Sequence, residues 1–130
     1  MKKSPVVHFE MPYKDAKRVS KFYESVFGWG MQYFPEMGNY VLAATTDTDE
    51  KTQRPKEPGA INGGFFPTDP SYGNGHIVIS VENLKKYIEL IKNAGGKVIG
   101  EPKDIPGVGL FVMIKDTEDN EVGVLQPAEM

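Results

Sequence analysis

Asn74–Gly96, NGHIVISVENLKKYIELIKNAGG, is the stretch that decides the fold. It opens on an alternation: Ile77, Ile79 and Val81 fall on one face, His76, Val78 and Ser80 on the other, which is the period of a strand. Asn83 follows as a helix N-cap. Leu84, Tyr87, Ile88 and Ile91 then recur at helical spacing, and Gly95-Gly96 closes the helix. The chain contains this arrangement twice. Moving back 68 positions (76 − 8) sets His76 on His8, Asn83 on Asp15, Tyr87 on Val19, Leu90 on Phe22, Ile91 on Tyr23 and Gly96 on Gly28. Two copies of so long a period indicate a duplicated half, not a solenoid.

The earlier copy reads outward from His8. Val7, Phe9 and Met11 alternate with His8 and Glu10, and Pro12 is expected to end that strand. A helix from Asp15 to about Phe27 carries Ala16, Val19, Phe22, Tyr23, Val26 and Phe27 as its apolar stripe, with Gly28 as its stop. Gly30–Phe34, Tyr40–Thr45 and Gly59–Phe66 have strand character. The polar run 46–58, TDTDEKTQRPKEP, reads as a mobile surface loop. Residues 67–75 link the copies. In the later copy, Lys97–Gly100, Leu110–Lys115 and Glu121–Gln126 are strands, separated by turn-rich residues 101–107 and the polar turn Asp116–Asn120. Each half is therefore β-α-β-β-β. The expected class is α+β, one domain over 1–130, with modules at 5–67 and 74–127.

Composition bounds the partners. The chain is 39% hydrophobic and 25% charged, with a formal net charge of −3 and a pI near 5.4. That sign and size do not suit nucleic acid. The four cations Lys14, Lys17, Arg18 and Lys21 on the first helix read as a solvated face. There is no cysteine, so disulfides, cysteine–zinc sites and thiol nucleophiles are excluded. The N-terminal run shows neither a signal peptide nor a membrane span, and the expected location is cytoplasmic.

Several stretches together resemble one superfamily. They are Val7-His8-Phe9-Glu10, Phe22-Tyr23, Val26-Phe27-Gly28-Trp29, Gly75-His76-Ile77, Gly95-Gly96-Lys97-Val98 and Lys115–Asn120. They are similar to the vicinal oxygen chelate superfamily of glyoxalase I, bleomycin-resistance proteins and extradiol dioxygenases. The resemblance implies two βαβββ modules forming a cupped mixed β-sheet with helices outside. It further implies a strand-lined cavity for a small molecule, shared across a homodimer. It sets His8 and His76 where enzymes of the family hold a divalent metal such as zinc, nickel or iron.

The residues themselves allow two chemistries. Duplicated strands bring one imidazole each toward a common hollow, and neutral imidazole suits those metals. A catalytic zinc, however, takes three protein ligands. The family's further ligand is a carboxylate on the last strand of a module. There Gly123 stands in the second half and, aligning Pro67 with Pro127, Gly63 in the first. Glu10 shares the His8 face and Glu121 the Gly123 face. The favoured reading is a metal-free ligand site of His8, Glu10 and His76, with Glu10 as the catalytic base if there is chemistry. The alternative is a metal-dependent lyase, isomerase or dioxygenase using His8, His76 and Glu10. Trp29, Tyr40, Phe65, Phe66, Tyr72 and Phe111 are the aromatics available to line a cavity.

Overall fold

The computed structural model describes residues 2–70 and 73–128. Along them run β1 (Val6–Tyr13), α1 (Ala16–Phe27), β2 (Gly30–Phe34), β3 (Tyr40–Ala44), β4 (Asn62–Pro67), β5 (His76–Ser80), α2 (Leu84–Asn93), β6 (Lys97–Ile105), β7 (Gly109–Lys115) and β8 (Glu121–Pro127). The chain divides into two units: His8–Gly75, and Met1–Val7 with His76–Met130. In the first unit β1 pairs with β4 in parallel, β4 with β3 antiparallel, and β3 with β2 antiparallel. In the second, β5–β8, β8–β7 and β7–β6 repeat those senses in the same order. The class is α+β, built from two tandem βαβββ modules.

Both helices start where the caps predict. The Asp15 carboxylate accepts the Arg18 N–H at 3.0 Å, and the Asn83 side chain accepts the Lys86 N–H at 3.0 Å. Gly28 adopts φ 72°, and its N–H and that of Trp29 reach back to the carbonyls of Glu24 and Tyr23. The start of α2 is tied to the last strand, because the Leu84 N–H donates to Gln126 Oε1 at 2.8 Å.

Each unit buries its own core between helix and sheet. In the first, Val41, Ala43 and Phe65 are buried, packed by Phe9, Met11, Tyr13, Val19, Tyr23 and Trp29. In the second, Val81, Leu84, Val112, Ile114 and Val124 are buried, with Tyr87, Ile88 and Ile91 of α2 against them. Full burial of a side chain of this size contributes roughly 1.5–3 kcal/mol. The α2 stripe thus lies inward as its spacing predicts. The α1 stripe divides: Ala16, Val19 and Tyr23 reach the core, while Phe22, Val26 and Phe27 are more than half exposed. Phe22 and Phe27 lie instead along the flank of the helix, each against the Tyr23 ring, with centroids 5.0 and 5.9 Å away.

Other boundaries move as well. β1 continues through Pro12, which lies opposite Phe66, to Tyr13. Proline's φ suits extended backbone, and in a ladder it removes one donor only. β6 runs on to Ile105 through a register shift between Ile99 and Lys103, where Gly100 takes φ 72°. The glycine absorbs a bulge that the sequence pattern reads as a turn. Loop 46–58 is internally bonded: Asp49 N–H donates to the Arg54 carbonyl and Lys56 N–H to that of Asp47, both at 2.8 Å, and Thr48 bridges to Pro55.

Candidate ligand site

Ladder register sorts the side chains of the first unit. Glu10 lies opposite Gly64, Gly64 opposite Leu42, and Leu42 opposite Gln32; directly opposed residues share a face. His8 opposite Asn62 belongs to the same face, turned away from the buried row of Phe9, Val41 and Phe65. His8 and Glu10 therefore stand outside the helix-packed core. Their side chains keep 27% and 18% of their surface exposed, which a packed core interior would not leave. His8 Nε2 lies 4.0 Å from Glu10 Oε2.

A third residue joins them. Tyr40, first in β3, places its hydroxyl 2.8 Å from His8 Nε2. Room for it comes from Gly64, where a Cβ would overlap the tyrosine hydroxyl and ring. Burial first, then the Glu10 charge, push the Tyr40 phenol well above the ordinary tyrosine range. Tyr40 therefore keeps its proton at any physiological pH. The strand entry that delivers it is pinned at Asn39, in left-handed backbone with φ 61°. The Asn39 carbonyl accepts the Tyr13 hydroxyl at 2.6 Å, and its side-chain oxygen accepts the Tyr33 hydroxyl at 2.7 Å.

The second unit repeats the geometry with apolar residues in the places of Glu10 and Tyr40. Val78 lies opposite Gly123, and Gly123 opposite Met113. A Cβ on Gly123 would come within 2.7 Å of the Phe111 ring. Phe111 thus stands in the place of Tyr40, and Val78 in the place of Glu10. His76 and Glu121 open β5 and β8 on this same face, by the alternation from Val78 and Gly123. Gly123 is the counterpart of Gly64. The proline alignment instead selects Gly63, which lies one residue along, on the opposite face against the Phe9 ring.

The aromatics separate accordingly. Phe65 is core, and Trp29 stacks on Tyr23 with centroids 4.7 Å apart. Neither lines the His8 face. Phe111 lies on the Gly123 face, and Tyr72 is outside the described residues. Tyr40 enters the sequence reading as one cavity aromatic among several. The sign that could have singled it out is Gly64, the smallest residue on the histidine–carboxylate face. An open groove of about 860 Å³ beside α1, lined by Lys17, Lys21 and Tyr33 among others, touches neither His8 nor Glu10.

Within neither unit do three or more His, Asp or Glu side chains gather as a metal set among the described residues. The fourth-strand place on the ligand face is glycine in both units, and His8 Nε2 is engaged by Tyr40. Neither unit by itself fits a three-ligand centre.

The family model for the Glyoxalase/Bleomycin resistance protein/Dioxygenase superfamily matches residues 6–124, and the chain belongs to that superfamily. A glyoxylase-like domain-containing protein of Didymella fabae is 32% identical over 121 residues, covering 85% of this chain and 84% of its own. A putative glyoxylase, CFP32, of Mycobacterium bovis is 35% identical over 69 residues, or 52% of this chain. The chain spans only 26% of that relative's length. Among solved structures, methylmalonyl-CoA epimerase of Streptomyces coelicolor superposes with a TM-score of 0.69 at 16% identity, over 99% of this chain and 98% of the other. That likeness is one of fold. Among the described residues, no helix is long and apolar enough to cross a membrane.

Proposed function

We infer that this chain binds a small molecule against the sheet face that carries His8 and Glu10, and that it needs no metal to do so. The observation that carries the reading is the partly exposed imidazole–carboxylate pair, 4.0 Å apart, outside the packed core. A carboxylate on a strand is costly unless it is paired or wet, and this one is both. Glu10 is the hydrogen-bond acceptor for the ligand and the base for any proton taken from it. His8 is the second contact. His76 joins the reading on the strength of the sequence repeat. A homodimer belongs to the same reading, and light scattering on the purified protein tests it.

The second reading is a metal-dependent lyase, isomerase or dioxygenase using His8, His76 and Glu10. It asks His8 to exchange Tyr40 at Nε2 for a metal or to bind through its other nitrogen. Elemental analysis separates the two. Stoichiometric zinc, nickel or iron, lost on His8→Ala, would establish the second and overturn the first. The first expects no stoichiometric metal and no change in thermal midpoint on adding these ions. It further expects a hit from a thermal-shift panel of aromatic and cationic small molecules, bleomycin among them, that Glu10→Gln abolishes.

A further inference from the structure

We propose that loop 46–58 is a fixed wall at the His8 end of the ligand face, and that Asn62 is the positioning residue that fastens it there. The proposal rests on the ligand-site reading above and adds to it a boundary. β3 ends at Ala44 and β4 begins at Asn62, which lies opposite His8. The loop joining these strands therefore leaves and rejoins the sheet at the level of His8. Glu10 is two residues further along, toward the other end of the ladder. Neighbouring strands stand about 5 Å apart. Whatever the Asn62 side chain holds is thus held beside the imidazole.

Asn62 grips the loop at two points. Its Oδ1 accepts the Thr45 N–H at 2.9 Å, and its Nδ2 donates to Thr48 Oγ1 at 3.1 Å. The orientation of the amide follows from its neighbours. A backbone N–H can only donate, so the atom meeting Thr45 is the carbonyl oxygen, and the amino group is left for Thr48. The Thr45 hydroxyl adds a tie of its own, donating to the Ile61 carbonyl at 2.7 Å. Beyond this clamp the loop is already built. Besides the two backbone bonds described above, the Gln53 N–H donates to the Asp49 carbonyl at 2.8 Å. The Asp49 carboxylate accepts the N–H groups of Lys51 and Thr52 at 2.9 and 3.0 Å. Thr46, Thr48, Asp49 and Pro55 are half-buried in spite of the polar sequence around them. A loop knitted in this way is held as a body, and the Asn62–Thr48 bond sets how much of the time it stands against the face. A ligand on His8 meets the wall on one side and extends toward Glu10 on the other.

The test is the reaction of the whole chain with diethyl pyrocarbonate at neutral pH, with mass spectrometry reading the peptides that carry its two histidines. Thr48→Val is the sharpest variant. It removes the acceptor, keeps the branched shape and leaves Asn62 beside His8. Loss of one hydrogen bond raises the open fraction of the loop roughly fivefold, and modification of His8 should quicken by that factor. His76 should keep its wild-type rate. Thr48→Ser, which retains the hydroxyl, should react as wild type does. A His8 rate in Thr48→Val equal to that of wild type would overturn the wall. So would equal acceleration at both histidines, the mark of general loosening. No ligand enters this measurement, so a failed wall leaves His8 and Glu10 standing as ligand contacts. The small-molecule panel and Glu10→Gln judge that reading separately.

Discussion

At matching places in their ladders the first unit sets His8, Glu10, Tyr40 and Gly64, and the second sets His76, Val78, Phe111 and Gly123. In both, an aromatic ring from the third strand lies over a glycine in the fourth. In the first, the ring ends in a hydroxyl 2.8 Å from an imidazole nitrogen. In the second, it ends in carbon, and the residue beside the glycine is Val78, 3% exposed. The duplicated backbone provides the notch twice, and only the first copy sets a hydroxyl over its glycine. The other copy spends the same notch on packing. Polar character at this position is therefore a property of three side chains and not of the fold.

The comparison breaks most violently if the carboxylate is moved across. Val78→Glu puts an unpaired charge at a buried place and should lower the unfolding free energy by about 3–5 kcal/mol at neutral pH. Adding Phe111→Tyr should restore on the order of 1 kcal/mol, by offering the new carboxylate a hydroxyl. Denaturant titration of the single and double variants checks both. No recovery in the double variant would mean that the two notches are not equivalent.

Next in size are the glycines. Gly64→Ala and Gly123→Ala should each cost roughly 1–3 kcal/mol by overpacking. Only Gly64→Ala should also shift the His8 ring resonances, because it moves Tyr40, whereas Gly123→Ala displaces Phe111. Equal shifts at His8 from both variants would contradict the division of labour.

A smaller effect separates the two rings by pH. Below about pH 10, folded and unfolded chains both hold the Tyr40 proton, and its contribution to stability is fully present. Above that, the unfolded chain releases the proton while the folded one retains it, so stability falls as pH rises. Wild type should lose thermal midpoint above pH 10 more steeply than Tyr40→Phe, which has no proton to release there. Parallel curves would remove Tyr40 from its buried place beside Glu10. The smallest effect is in the second unit's turn. Hydrogen bonds from the Asn120 side chain, and from the Asn120 and Glu118 backbone, hold the exposed Asp116 carboxyl below the usual range. Its contribution is present above the unfolded carboxylate range and is lost as pH falls through the folded value. Asp116→Asn should flatten the acid limb of the stability curve slightly, and thermal melts between pH 2 and about 5 would show it.

The duplication was legible in the sequence because its signals are local: period-two alternation, period-3.6 spacing, and caps at Asp15, Asn83 and Gly28. His8 and Glu10 were legible for the same reason, since alternation with Phe9 and Met11 assigns their face. Tyr40 was not, because its partner His8 lies 32 residues away along the chain and meets it only through the ladder. The choice between Gly63 and Gly64 shows how sharp that limit is. A slip of one residue in a strand reverses the face, and the flanking prolines set the alignment one step off. The α1 stripe marks another limit. Periodicity identifies the apolar side of a helix but not how much of it is covered, and Phe22, Val26 and Phe27 are left in solvent.

One feature of the ladder reaches beyond the site. In each unit the opening strand is hydrogen-bonded in parallel to the closing one, β1 to β4 and β5 to β8. During synthesis the strand that bears His8 must wait, without that partner, until Asn62–Pro67 has emerged, and the whole intervening loop must be closed before the pairing forms. Long-range closure of this kind slows folding and leaves an open strand edge meanwhile. The strand that carries His8 and Glu10 is thus made well before the partner that locks it in place.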